Sequence, residues 1–306
     1  MSDHRRPAFL LASVLAVVLV ACSGASASTP PSSGPADSSG DPSSAEPSPA
    51  GAVPHPTGAS DIVLRYEEAG GFVMPAFLAA YAPHFTLYGD GTIVFRDPMQ
   101  TPPPAQGSAF VMPPMQIAKL SEEQIQELLV FALGEGGLAA ARPEYLDQMI
   151  SDASTAVFTL DTGDLQKTVS VYALGLGDSA QAGPDAAART AFKRLADRLV
   201  GLGSGGAVTT AQYVPTAYRV TLLESPGVAA PDIVAWPWDD VAIDDFKPSG
   251  EPNGLQFPQL TMTPEQVAEL GVTDFEGGYQ NLVITGPSNG MTYTVAVRPL
   301  LPDESD

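Results

Sequence analysis

The sequence predicts an α+β fold: antiparallel β hairpins with two amphipathic helices, followed by a smaller α+β unit. Three observations carry this. Apolar runs alternating with polar residues come in pairs around turn residues, as in "HFTLYGDGTIVFRD". Two stretches repeat apolar residues at helical spacing. Strands and helices do not alternate strictly, so a parallel βαβ architecture is not indicated.

Taken in order, "DIVLRYE" from Asp61 reads as a strand. In the first hairpin Phe85 and Leu87 alternate with Thr86 and Tyr88, Gly89-Asp90-Gly91 turns the chain, and Ile93 and Phe95 continue the pattern. Asp90 suits such a turn by tolerating its dihedral angles. The Pro-rich run 97–116 is expected as an irregular surface loop. Ser121 and Gln124 then form a capping-box pair, and Ile125, Leu128, Leu129, Ala132 and Leu133 make a helical stripe ended by glycines.

A second hairpin follows over 154–174, turning at Asp161 to Asp164. A second helix has Pro184 in its first turn and a stripe of Ala188, Phe192, Leu195 and Leu199. Lys193, Arg194 and Arg198 fall late in that helix, where the dipole favours cations. Gly201, Gly203 and Gly206 match a dinucleotide-binding spacing, but a helix precedes them and none follows, so the run reads as a linker. The last hundred residues predict a strand at "AYRVTLLES", a capped helix at "TPEQVAELG" and a hairpin at "QNLVITGPSNGMTYTVAVRPL".

Composition excludes several functions. A net charge of −21 leaves no cationic surface for nucleic acid or for broad docking onto anionic lipid. One cysteine rules out an intramolecular disulfide and Cys-based zinc or iron–sulfur sites. Of three histidines only His84 lies in foldable sequence, which argues against a His triad or a two-His metal site. No cofactor motif is found.

The N-terminus reads in three parts: "MSDHRRP" with Arg5 and Arg6, an uncharged apolar run from Ala8 to Ala21, and the lone Cys22. The run is shorter than the roughly 20 residues a spanning helix needs and fits a secretory signal. Leu19-Val20-Ala21-Cys22 resembles the lipobox of bacterial lipoproteins, with Val20 a mild departure from the usual small residue. The resemblance implies acylation of the Cys22 thiol, cleavage before it, and anchoring by lipid at the extracytoplasmic face of the cell membrane. Residues 23–60, rich in Ser, Pro, Ala and Gly, have too little apolar surface to fold. As a coil they would span roughly 35 Å.

The expected organisation is thus a signal peptide at 1–21, lipidated Cys22 with a disordered tether to 60, and an α+β domain at 61–201. A Gly-rich linker at 202–208, a smaller α+β domain at 209–301 and an acidic tail at 302–306 complete it. The strand, the Y-G-D-G-T hairpin, the "LSEEQIQELL" helix, the D-x-x-T-x-x-F-T-L strand and the final helix, in that order, resemble uncharacterised secreted lipoproteins of actinobacteria-like genomes. The ending "VRPLLPDE" is similar to some of their C-termini. That resemblance implies no activity and no catalytic residue.

One stretch carries candidate site residues, "AWPWDDVAIDDFKP". Asp239, Asp240, Asp244 and Asp245 are a Ca²⁺ candidate, although their spacing is not that of a calcium loop. Trp236 and Trp238 are a candidate platform for stacking on a sugar. The plainer reading is a solvated acidic loop beside a buried Trp. The leading expectation is a non-catalytic, lipid-anchored binding or structural module of the cell envelope, docking a protein or wall polymer. The alternatives are a carboxylate-based or Ca-dependent hydrolase of envelope glycan, favoured by two convergent buried carboxylates, and a solute-binding receptor.

Overall fold

The computed structural model describes residues 51–147, 149–176, 183–203, 208–227, 232–249, 256–287 and 290–304. The signal segment, Cys22, the tether up to residue 50 and most of the expected linker lie outside the described residues.

The chain opens with β1 (Ile62–Gly70), α1 (Pro75–Ala79), β2 (Phe85–Tyr88), β3 (Thr92–Phe95), β4 (Phe110–Val111) and β5 (Gln116–Lys119). There follow α2 (Glu122–Leu133), β6 (Glu144–Tyr145), β7 (Ser154–Asp161), β8 (Gln166–Tyr172) and α3 (Ala186–Gly201). The rest is β9 (Ala211–Gln212), β10 (Tyr218–Glu224), β11 (Val234–Ala235), β12 (Lys247–Pro248), β13 (Pro258–Met262), α4 (Pro264–Ala268), β14 (Tyr279–Thr285) and β15 (Thr292–Pro299). These elements make a mixed α+β fold with two mostly antiparallel sheets. The first has strand order β6-β8-β7-β1-β2-β3-β5-β9. The second runs β11-β14-β15-β10-β13-β12, with β4 beside β14. Only β6–β8 and β11–β14 pair in parallel among the described strands.

Alternation along the strands sorts the first sheet's side chains to two faces. Phe85, Leu87, Ile93, Phe95, Phe158 and Val169 point to one side, where α2 lays down Ile125, Leu128 and Leu129 and α3 lays down Phe192, Leu195 and Leu199. Each such side chain contributes roughly 1.5–3 kcal/mol by leaving water. The start of α2 is fixed by its capping box: Ser121 Oγ accepts from Gln124 N–H while the Gln124 side chain accepts from Ser121 N–H. Late in α3, Arg198 pairs with Glu127 at 2.6 Å and lies over the Phe131 ring, tying the helices together. Asp90 closes its turn by accepting from Thr92 N–H and also pairs with Lys119. On the sheet's other face Tyr88 and Val94 meet Met115, Tyr213 and Leu301.

The second sheet has its own core, in which Val220, Tyr279, Val295 and Val297 pack against Val267 of α4 and against Trp238 and Phe246. α1 lies against β15, β10 and β14.

Several expectations change here. Residues 51–60, expected as the end of the tether, pack on α2. The Val53 N–H donates to Gln126 Oε1 and its carbonyl accepts from Gln126 Nε2, while His55 approaches Glu122 at 3.3 Å. Two backbone hydrogen bonds and an apolar anchor at Val53 supply what the Ser/Pro composition lacks. The Pro-rich run 97–116 is not wholly irregular, because its β4 pairs with β14 in the second sheet. Conversely β9, from the later half of the chain, completes the first sheet beside β5. The sheets therefore exchange strands, and residues 48–306 cluster as one compact unit. The expected boundary between 201 and 209 does not separate the sheets.

The expected acidic tail is also structural as far as it is described. Asp303 accepts from Arg65 and from the Tyr88 hydroxyl, both at 2.6 Å. Glu304 receives Arg298 through both guanidinium ends, at 2.5 and 2.7 Å, and the Leu301 N–H at 3.1 Å. These pairs lie on the face of β1 away from the helices, so the chain's end clamps its first strand.

Candidate functional site

A β-bulge lies in the wall of a wide cleft. Pairing of β14 with β15 slips between Tyr279 and Leu282, and Asn281 is held there at φ 66°. Asn tolerates this left-handed conformation better than most residues, and bulges of this kind re-aim side chains beside functional sites. Next to it, the Gln280 Oε1 and the Tyr279 hydroxyl are buried without a hydrogen-bond partner. Each unmade bond of that kind costs about 1–3 kcal/mol. The β14–β15 ladder is interrupted where the cleft begins.

The cleft has a volume of about 940 Å³ and includes Asn281 in its wall. Leu222 and Leu223 at the end of β10 and Tyr293 at the start of β15 form an apolar side. Ile243, Phe246, Phe257 and Pro258 form another, and Met74 to Ala76 at the head of α1 close the third. Polar groups sit at the rim. Ser225 Oγ and Thr294 Oγ1 share a hydrogen bond of 2.7 Å, and Lys247 donates to the Asp244 carbonyl. The Glu224 and Asp244 side chains are exposed. Such a volume, mostly apolar with a few fixed polar groups, falls within the range of small-molecule sites.

A second, smaller cavity of about 250 Å³ lies at the clamp and is lined by Arg65, Glu67, Glu68, Tyr81, Arg298 and Glu304. Burial pushes the Glu67 carboxyl up, opposed by the charge of Arg65. Glu304 shifts down: burial acts against its ionisation, but the hydrogen bonds and charge of Arg298 outweigh it. Two carboxyls pushed apart in this way are what an acid–base pair requires. Yet both Glu304 oxygens are engaged by Arg298, so this carboxylate acts as a clamp rather than as a free base. His84 lies close by, stacked on Tyr66 and 3.1 Å from the Tyr81 hydroxyl, with burial pushing its pKa down.

The acidic and aromatic candidates lie as the plainer reading places them, exposed carboxylates beside a buried Trp. Asp239, Asp240, Asp244 and Asp245 are exposed, and no group of three carboxylate, His or Cys side chains converges on a metal position among the described residues. Asp245 instead accepts from the Ala242 N–H, closing a short turn. Trp238 is 3 % exposed and donates its indole N–H to the Gln266 carbonyl, so its ring faces are core, not a sugar platform. Trp236 is half-buried, donates to the Val241 carbonyl and meets Trp238 edge-on at 5.1 Å. The same stretch does reach the site through Ile243, Phe246 and Lys247, which carry no motif in the sequence.

No family model, curated protein or solved structure matches this chain. What the cleft can do follows from its chemistry alone.

Proposed function

We propose that this chain is a lipid-anchored, extracytoplasmic binding protein of the cell envelope, without catalysis of its own, whose cleft holds a largely apolar ligand. One observation carries the binding reading: a largely apolar cleft of about 940 Å³ built on a bulged strand. Enclosing apolar ligand surface supplies affinity, while the rim groups fix orientation. The acidic residues that would carry a Ca-dependent hydrolase do not converge, which is why binding is preferred over hydrolysis.

The anchoring half of the proposal rests on Leu19-Val20-Ala21-Cys22. Cys22→Ala is expected to move the protein from the membrane fraction to the soluble fraction or to block its maturation. A mutant that matures and stays with the membrane after a high-salt wash would refute anchoring. For the cleft, N-phenyl-1-naphthylamine is the probe. Its fluorescence should rise with the wild-type protein, and Leu223→Glu, which places a carboxylate in the apolar wall, should weaken binding at least about tenfold. An unchanged melting temperature would show that the variant still folds. No fluorescence rise with the wild-type protein would overturn the cleft as a binding site.

A further inference from the structure

Beside the cleft the chain exposes apolar side chains that the fold does not use. Phe72 is 90 % exposed, Met74 54 %, Val73 45 % and Phe77 42 %. Four such neighbours in six residues form a patch, and patches of that kind mark interaction sites in proteins that otherwise hide apolar surface.

The patch is presented by a defined frame. Gly70 and Gly71, at φ 73° and 87°, turn the chain out of β1, and the Phe72 N–H donates to the Asp152 carbonyl at 3.1 Å. On the other side Pro75 begins α1, whose Ala76 is buried, as is Ala80 just after it. Phe72 to Met74 thus project as a lip between two fixed points. Met74 belongs both to this lip and to the wall of the cleft. Met74 therefore joins the exposed apolar lip to the cleft whose wall includes Leu223.

Charge narrows the occupant. Residues 69–80 carry no ionisable side chain. The rim sets Glu224 and Asp244 against Lys247, on a chain of net charge −21. An anionic headgroup would be repelled, whereas a neutral or zwitterionic one would not. Protruding Phe, Val and Met side chains with no charge around them suit entry into the fluid boundary of a bilayer.

We infer that the lip of Phe72, Val73, Met74 and Phe77 seats on a bilayer and that the cleft behind it receives an acyl chain of a neutral or zwitterionic membrane lipid. This rests on the reading of the cleft as a ligand site and adds the class of ligand and its route of entry. Seating would remove the lip from water, and the join at Met74 would spare the chain a passage through water.

The test uses residues 48–306, the compact unit that contains all three described cores and the clamp. It should float with vesicles of pure phosphatidylcholine, and less well with an equimolar phosphatidylcholine–phosphatidylglycerol mixture at low salt. Phe72→Ser with Phe77→Ser, neither of which lines the cleft, should cut flotation at least about tenfold while leaving N-phenyl-1-naphthylamine binding unchanged. Leu223→Glu should have the opposite profile: it keeps flotation but fails to extract phosphatidylcholine carrying a fluorescent acyl chain. Absence of flotation, tighter binding to the anionic mixture, or flotation indifferent to the two Phe substitutions would overturn the inference. Loss of probe binding with flotation intact would instead overturn the cleft reading and leave the lip standing.

Discussion

Glu304→Ala is expected to lower the unfolding free energy by about 3 kcal/mol, read as a shift in the urea midpoint. Arg298 is 10 % exposed and Glu304 19 %, so solvent screens their pairing little. Removing the carboxylate leaves the Arg298 guanidinium without its counter-charge, takes one contact, at 3.5 Å, from Arg219, and removes the acceptor of the Leu301 N–H. The cost comes chiefly from a buried charge left uncompensated. Glu304→Gln keeps the shape and loses the charge, and should fall between. The same group gives a pH signature. Its folded pKa lies below its unfolded value, because Arg298 outweighs the cost of burial. Its contribution is therefore complete above the unfolded carboxylate pKa and is lost as pH falls through the folded one. Glu67 has the opposite sign, since burial raises it, and its share declines as pH rises through its folded pKa. Wild-type stability should thus drop on the acid side, and Glu304→Ala should flatten that drop. An unchanged midpoint with an unchanged acid slope would show that the clamp contributes nothing.

The second large effect is expected at Gly278. Its backbone sits at φ 85°, ψ 177°, a region open in practice only to glycine. A Cβ there would press into the Val297 carbonyl oxygen of β15. The backbone has no room to yield: the Gly278 N–H donates to Phe275 O at 2.7 Å, and its carbonyl accepts from Met112 N–H at 2.9 Å. Gly278→Ala should therefore cost at least about 3 kcal/mol, strain and clash together. Gly163→Ala is the control. Gly163 also has positive φ, 77°, but nothing lies within 4 Å of an added Cβ. That change should cost about 1 kcal/mol. Equal melting temperatures for the two variants would show that close approach of the backbone plays no part.

What was legible in the sequence was what is local. The hairpins β2–β3, β7–β8 and β14–β15 announce themselves by alternation around turn residues. α2 and α4 do so by capping boxes whose partners lie three residues apart. The two-residue strands β4, β6, β9, β11 and β12 are too short to show a period, and their pairing is decided by distant partners. The Asp303–Arg65 and Glu304–Arg298 pairs were invisible because a terminal acidic run looks the same whether solvated or clamped. The cleft was hidden for a related reason. Its walls come from segments around 75, 223, 245, 258 and 293, of which only that around 245 stood out in the sequence, and then for its carboxylates rather than for Ile243 and Phe246. Trp238 and Asp245 stood out by composition, yet they serve the core and a turn cap.

The clamp also has a consequence for the order of events. Arg65 and its partner Asp303 are separated by 238 positions. A chain that emerges from its N-terminus therefore presents β1 well before it supplies the acid that closes on it. β4 likewise waits for β14, and the open edge of β5 waits for β9. A chain that stops before Asp303 can build β1 and its hairpins but lacks the acids that tie β1 and β15 to the segment after them.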